Sequence, residues 1–381
     1  MIRVLIADDS AFMRMVLSDL FKKQSDFDVI DTAKNGKEAV EKVLKLKPDL
    51  LTLDINMPVM DGLQALEVIM KDCPVPVVMC SSLTKEGADA TIKALSLGAV
   101  DFINKTGGSV SRIDTIETEI ISKCRGAAGV RVSRLGALPR LAMTPPAPPV
   151  AHRTNLPPYR TAHLPPLPKT PPYERPKLIF PAAPREELQG GKNKLVVIGT
   201  STGGPKALQT VIAALPKNLP CGVLVVQHMP PGFTRSLAER LDEISQISVK
   251  EAGNRDIIEK GRVYIAPGNY HMTVASGAKG REILLNQDPP LGTLRPAADV
   301  LFNSVAPLGK DIVSVILTGM GADGAAGMKA IKEHGGYVIA EAEETCVVYG
   351  MPKAVIDQGL ADEVRRLPEI AGAIVNAVIN Y

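Results

Sequence analysis

Short unbroken apolar runs alternate with longer stretches in which apolar residues return every third or fourth place, and this alternation fills the first 124 positions. The runs predict strands over 4–7, 29–33, 50–54, 77–80 and 101–103. The periodic stretches predict helices between them, clearest over 12–22, 36–45 and 63–71. Five βα units in a segment of this length predict one doubly wound parallel sheet. A second βα rhythm begins near position 194, with strands predicted over 194–199, 222–227, 262–266, 312–318 and 337–340. Within it, 272–275 and 282–286 read as a β-hairpin around the turn-forming stretch 276–280. The expected fold class is therefore α/β, with two doubly wound, mostly parallel sheet domains, the second carrying an inserted hairpin.

Between these segments the periodicity disappears. Fifteen of the 31 prolines fall between Pro139 and Pro184, and residues 126–192 carry ten Lys and Arg against three Asp and Glu. The net charge of +3 thus hides a basic middle between two nearly neutral segments. Such a composition cannot bury a core and predicts an extended Pro-rich basic linker, a spacer or a docking segment for an acidic partner. The expected organisation is a first domain over 1–124, the linker over 125–192 and a second domain over 193–381.

The five cysteines are dispersed without a C-x-x-C pair, which points to reduced thiols and a cytoplasmic protein. The chain enters a strand at Ile2, unlike a signal peptide, and no apolar stretch reaches the ~20 residues needed to span a bilayer, so no membrane insertion is expected. No helix-turn-helix pattern or aromatic-basic stripe suggests nucleic-acid binding, and the basic linker is the sole support for an output domain that only binds.

Candidate chemistry gathers at the predicted strand ends. Asp8 and Asp9 end the first strand, Asp54 the third, Ser81 the fourth and Lys105 the fifth. The carboxyl ends of parallel strands form the ligand crevice of such a sheet. Three carboxylates there call for a hard cation with oxygen ligands, Mg²⁺ by preference. With a hydroxyl and an ammonium beside them, they form a site for receiving a phosphoryl group on an Asp.

In the second domain, Gly199, Ser201 and Gly203 have the G-x-S-x-G spacing of a nucleophile turn between strand and helix. A serine nucleophile needs a base. His152 and His163 fall in the linker. His228 follows the apolar run 223–226 at a strand end, His271 starts the hairpin, and His334 ends a helix, where it reads as a C-terminal cap. Asp323, in the glycine-rich turn after the strand at 312–318, reads either as an N-cap for the next helix or as the residue that orients the imidazole. The rival chain order of the α/β-hydrolases would use Ser201, Asp323 and His334. A P-loop is excluded because Pro205 and Ala207 break its G-K-[ST] requirement.

Residues 1–124 resemble a response-regulator receiver domain, which is flavodoxin-like. Asp8-Asp9 match its acidic pair, Asp54-Ile55-Asn56-Met57-Pro58 with Asp61-Gly62 its phosphoacceptor loop, Ser81 its switch hydroxyl and Lys105 its lysine. Phe102 falls at its aromatic switch position. The resemblance implies that a histidine kinase phosphorylates Asp54, with Mg²⁺ held by Asp9, Asp54 and the Asn56 carbonyl beside Asp8. The third segment resembles the Rossmann-like catalytic domain of the chemoreceptor glutamate methylesterases, the CheB family, through 199–204, 227–229 and 319–324. That resemblance implies hydrolysis of glutamate γ-methyl esters on chemoreceptor tails, deamidation of selected glutamines, and a role in chemotaxis adaptation. It assigns Ser201, His228 and Asp323 to catalysis and the Met320 N–H to the oxyanion, with Thr202 next to the nucleophile. It needs no cofactor for the ester step, and it implies that the unphosphorylated receiver packs over the cleft.

Overall fold

The computed structural model describes residues 1–82, 84–105, 113–130 and 193–381, with the backbone alone for 113–116. Leu83, 106–112 and most of the expected linker, including His152 and His163, lie outside the described residues.

The N-terminal domain alternates strand and helix: β1 (Ile2–Ala7), α1 (Ala11–Lys22), β2 (Phe27–Ala33), α2 (Gly36–Leu46), β3 (Leu50–Asp54), α3 (Gly62–Asp72), β4 (Val77–Ser81), α4 (Lys85–Leu97), β5 (Asp101–Asn104) and α5 (Ile113–Ala128). The strands form a parallel sheet in the order β2-β1-β3-β4-β5. α1 to α4 each start where a short polar side chain caps a free N–H: Ser10 on Met13, Asn35 on Glu38, Asp61 on Gln64 and Thr84 on Gly87. These caps lie between the strand ends and the helices, so they fix where each chemistry-bearing loop stops. α5 runs to Ala128, past position 124.

The C-terminal domain continues with β6 (Leu195–Thr200), α6 (Gly204–Ala213), β7 (Gly222–Gln227), α7 (Phe233–Ile244), β8 (Ser248–Glu251), β9 (Arg262–Ile265), β10 (His271–Gly277), β11 (Gly280–Asn286), α8 (Ala298–Val305), a 3₁₀ turn (Ala306–Asp311), β12 (Ile312–Ile316), α9 (Ala325–Glu333), β13 (Tyr337–Glu341), α10 (Met351–Ile356), β14 (Glu363–Arg365) and α11 (Leu367–Asn380). Its sheet runs β14-β13-β12-β6-β7-β9-β8, and every pairing in it is parallel. The central strands β6, β7 and β12 are buried along their whole length, which is why they read as unbroken apolar runs.

Two details differ from the expected pattern. The hairpin β10–β11 forms a two-stranded sheet of its own and pairs through Gly277↔Gly280, so its turn is two residues rather than five. The edge strands β8 and β14 were not predicted. Both are short and charged (Ser-Val-Lys-Glu and Glu-Val-Arg), as edges commonly are, and this removes the apolar signal. Among the described residues no helix is long and apolar enough to cross a membrane.

Candidate functional site

In each sheet the strand order reverses beside the first strand, between β1 and β3 and between β6 and β12. A crevice opens at the carboxyl ends of such strands.

In the N-terminal crevice, carboxylate oxygens of Asp8, Asp9 and Asp54 lie within 4.8 Å of one another. Asp8 and Asp54 are buried and Asp9 is exposed. Lys105, just past β5, joins the two buried groups, its Nζ 2.7 Å from Asp8 Oδ2 and 2.7 Å from Asp54 Oδ2. Burial pushes the Asp54 carboxyl above its usual range, with Asp8 adding to the effect and Lys105 and the Asn56 N–H opposing it. Burial lowers the Lys105 ammonium, but Asp54 and Asp8 outweigh it and the net shift is upward. Ser81 Oγ donates to the Gly87 carbonyl at 3.1 Å. Three carboxylates against one ammonium leave the crevice negative, and an all-oxygen set open to solvent at Asp9 fits a hard divalent cation.

In the C-terminal crevice, the register Val226↔Gly199↔Ile316 brings the ends of β7, β6 and β12 level. Ser201 follows β6, and its N–H donates to the Thr318 carbonyl at 3.1 Å. The Gln227 amide donates to the carbonyls of Ser201 (3.0 Å) and His228 (3.2 Å), tying the two turns together. A Cβ on Gly319 would stand 2.9 Å from Ser201 Cβ, so a glycine is needed for the β12 loop to approach the Ser201 turn.

His228 Nε2 lies 2.7 Å from Asp323 Oδ2. The same carboxylate accepts the Ala298 N–H (2.6 Å, Oδ2) and the Asp299 N–H (3.0 Å, Oδ1) at the N-terminus of α8. Burial would raise the Asp323 carboxyl, but the bond to His228, its charge and the α8 amides prevail and hold it below the usual carboxylate range. Asp323 therefore caps α8; the neighbouring α9 is capped by Gly324 without a side-chain bond. With Nε2 on Asp323, Nδ1 is the ring nitrogen left for another partner.

Among the described residues, the two other histidines are bonded elsewhere. His334 Nδ1 bonds the Ala330 carbonyl at 2.8 Å as an exposed helix cap, and buried His271 has Nε2 3.3 Å from the Pro289 carbonyl.

The first domain covers this crevice. A cavity of about 230 Å³ is lined from one side by Asp101, Phe102 and Lys123 and from the other by Ser201, His228 and Arg295. Thr202 Oγ1 donates to Asp101 Oδ2 at 2.5 Å, and both residues are buried. The Phe102 ring stacks on Phe233 of α7 with centroids 4.7 Å apart, and Lys123 lies 4.8 Å over the same ring. Gln209 donates to Ser96 at 2.7 Å, and Ser122 Oγ lies 2.9 Å from Met320 Sδ. A buried apolar cluster runs continuously from Leu95, Ala99 and Phe102 to Phe233 and Leu237. Asp101, Lys123 and Arg295 were not singled out from sequence, because nothing in their local pattern marks a contact made with distant residues.

The description "Response regulator receiver domain" matches residues 4–116, and "CheB methylesterase" matches residues 196–374. A curated relative from Symbiobacterium thermophilum, named protein-glutamate methylesterase/protein-glutamine glutaminase, is 49% identical over 99% of this chain and 97% of its own. One of the same name from Archaeoglobus fulgidus is 46% identical over 98% of this chain and 97% of its own. The crystal structure of the Thermotoga maritima CheB methylesterase catalytic domain is 46% identical, covers 48% of this chain and 97% of that one, and aligns with a TM-score of 0.47. A receiver sheet packed against an α/β hydrolase domain defines a response regulator with an enzymatic output. With near full-length relatives at this identity, the chain belongs to the CheB methylesterase family.

Proposed function

We propose that this chain hydrolyses glutamate γ-methyl esters on the cytoplasmic helices of methyl-accepting chemoreceptors, releasing methanol, and deamidates selected glutamines there, so serving chemotaxis adaptation in the cytoplasm. The names of the full-length relatives support the activity. The observation that carries it to residues is the His228–Asp323 pair at 2.7 Å, its carboxylate anchored on α8 and opening on the cleft that Ser201 lines.

In this reading Ser201 Oγ attacks the ester carbonyl while His228 Nδ1 takes its proton. The oxyanion rests on the Met320 N–H, with Thr202 beside the nucleophile. Collapse expels methoxide, which takes the proton from His228 and leaves as methanol; on a glutamine the amide nitrogen takes that proton and leaves as ammonia. Water then attacks the acyl carbonyl as His228 takes its proton, and the acyl–serine bond breaks as His228 returns that proton to Ser201 Oγ, giving glutamate and free Ser201. Asp323 holds the ring tautomer and stabilises the imidazolium. The test is methanol release from methylated chemoreceptor membranes: it should proceed with the unchanged chain and vanish with Ser201→Ala.

The first domain is read as the regulator. A histidine kinase supplies the phosphoryl group, and Asp54 accepts it. Asp9, Asp54 and the Asn56 carbonyl, with Asp8 adjacent, would hold Mg²⁺, which supplies positive charge for the phosphoryl oxygens. Lys105, 2.7 Å from Asp54, is in reach of the new group, its N–H donates to the Ser81 carbonyl at 2.7 Å, and Ser81 is read as the switch hydroxyl. Phe102 lies in β5 three residues before Lys105, which follows the strand, and stacks on the catalytic domain. A charge added at Asp54 can therefore bias the position of the cover through β5. Domain limits of 1–124 and 193–381, with 125–192 joining them, predict protease cuts within 131–192 that release two stable pieces.

A further inference from the structure

β13 ends on Glu341, a fully buried residue. Its Oε2 accepts the Thr318 N–H at 2.8 Å, and its Oε1 has no hydrogen-bond partner among the described residues. The strand pairing explains why a side chain is needed there. The β12–β13 ladder ends at Ile316↔Ala340, so two residues further on the Thr318 N–H has left the sheet while still in the core. An unpaired N–H in that place is costly, and Glu341 supplies the missing acceptor.

Thr318 is where three loops meet. Its carbonyl accepts the Ser201 N–H (3.1 Å) and the Thr200 hydroxyl (2.9 Å). Its hydroxyl donates to the Thr202 carbonyl (3.0 Å) and accepts the Val348 N–H (2.9 Å). The residues that follow it, Gly319 and Met320, form the loop read above as the oxyanion site. Around it, the Thr345 hydroxyl donates to the Ala342 carbonyl at 3.2 Å and the Cys346 thiol to the main-chain carbonyl of Glu341 at 3.9 Å, and these groups, like the Thr318 N–H, are uncharged. The carboxyl is thus placed as an acceptor, with no cation to pair with among these groups.

We propose that Glu341 is a positioning residue for the hydrolysis, fixing the Ser201 turn and the Met320 loop through Thr318 as a hydrogen-bond acceptor. This rests on the reading of Ser201 as nucleophile. An amide keeps the acceptor oxygen at the same reach, so glutamine should serve in its place.

The test is methanol release by the full chain with phosphodonor, with Ser201→Ala measured alongside. Glu341→Ala and Glu341→Leu should lower kcat by about ten- to hundredfold with KM within about threefold, because the Thr318 peptide loses its acceptor. Glu341→Gln should restore kcat to within a few fold. Circular dichroism and phosphorylation of the first domain check that each variant is folded. If Ser201→Ala still turns over, the nucleophile reading fails. If Ser201→Ala is dead while the folded Ala and Leu variants match the unchanged chain, the positioning role is overturned; a folded Gln variant as slow as Leu overturns it too. Should neither Ala nor Leu fold, Glu341→Asp withdraws the acceptor by one methylene and replaces them: a fall in kcat supports the role, and an unchanged kcat sinks it.

Discussion

The two crevices occupy the same place in two similarly wound sheets, yet they handle charge and access in opposite ways. The first crowds three carboxylates around one ammonium and leaves Asp9 open to solvent. The second holds Asp323, whose charge is spread over two helix amides and an imidazole, beneath a neighbouring domain that reaches in with Asp101 and Phe102. A phosphoryl acceptor needs concentrated charge and an open approach. An ester hydrolase needs a preorganised, low-charge cleft, and a bulky substrate makes that cleft easy to gate by covering it. Strand-end geometry therefore supplies only a position; the polarity and the cover determine the chemistry.

The largest expected effect tests the chemical half of that contrast. Ser201→Ala should cost roughly 10⁴–10⁶ in kcat for ester hydrolysis, His228→Ala about as much and Asp323→Asn somewhat less. His334→Ala removes an exposed helix cap and should leave turnover near that of the unchanged chain. A dead His334 variant beside an active His228 variant would reverse the assignment and restore the α/β-hydrolase order.

Access comes next. Without phosphodonor the full chain should be slow, and Phe102→Ala, which removes the stack on Phe233, should raise basal methanol release severalfold to a hundredfold, the range given by about 1–3 kcal/mol of coupling. Phosphodonor with Mg²⁺ should activate the unchanged chain, and Asp54→Ala should abolish that response. A full chain already fast and indifferent to both changes would remove the gate from the comparison.

A third expectation concerns buried charge in the second domain. Burial pushes the Glu341 carboxyl up to about 7 from its ordinary 4.5, opposed by the Thr318 N–H, Thr345 and Cys346. A group with a raised folded value keeps its proton after the unfolded chain has lost it. Stability from this group is complete below about pH 4.5 and falls as pH rises towards 7, by on the order of 3 kcal/mol. Paired denaturant titrations should show this slope in the unchanged chain relative to Glu341→Gln. Parallel curves would argue against the raised value.

The smallest effect lies at the seam. Gly126 sits in α5 where a Cβ would stand 2.4 Å from Met320 Cε, the far end of a flexible side chain. Gly126→Ala should gain helix propensity, displace the methionine and raise basal turnover a few fold, with little change in melting temperature. An unchanged basal rate would show that this contact contributes nothing to the cover.

The sequence made the central strands plain because burial on both faces writes them as apolar runs, and it placed Ser201 and His228 just past strand ends because each follows such a run. Asp323 was readable only as a choice between helix cap and imidazole partner. The structure shows a carboxylate that is bonded to the imidazole and also caps a helix, but α8 rather than the next one in the chain. The Asp101–Thr202 bond and the Glu341–Thr318 bond join residues 101 and 23 positions apart. Contacts of that kind follow no period of 2 or 3.6, so no pattern announced them. β8 and β14 escaped for the opposite reason: an edge strand keeps its polar residues and loses the pattern that would mark it.

The Asp101–Thr202 bond and the Phe102–Phe233 stack make one contact serve both crevices. Free energy linkage then runs in both directions. If a phosphoryl group at Asp54 favours the uncovered arrangement, any receptor helix held in the cleft must favour the phosphorylated form by the same factor. Substrate would act as an effector of its own regulator, and the share of chains in the uncovered arrangement would rise with receptor occupancy.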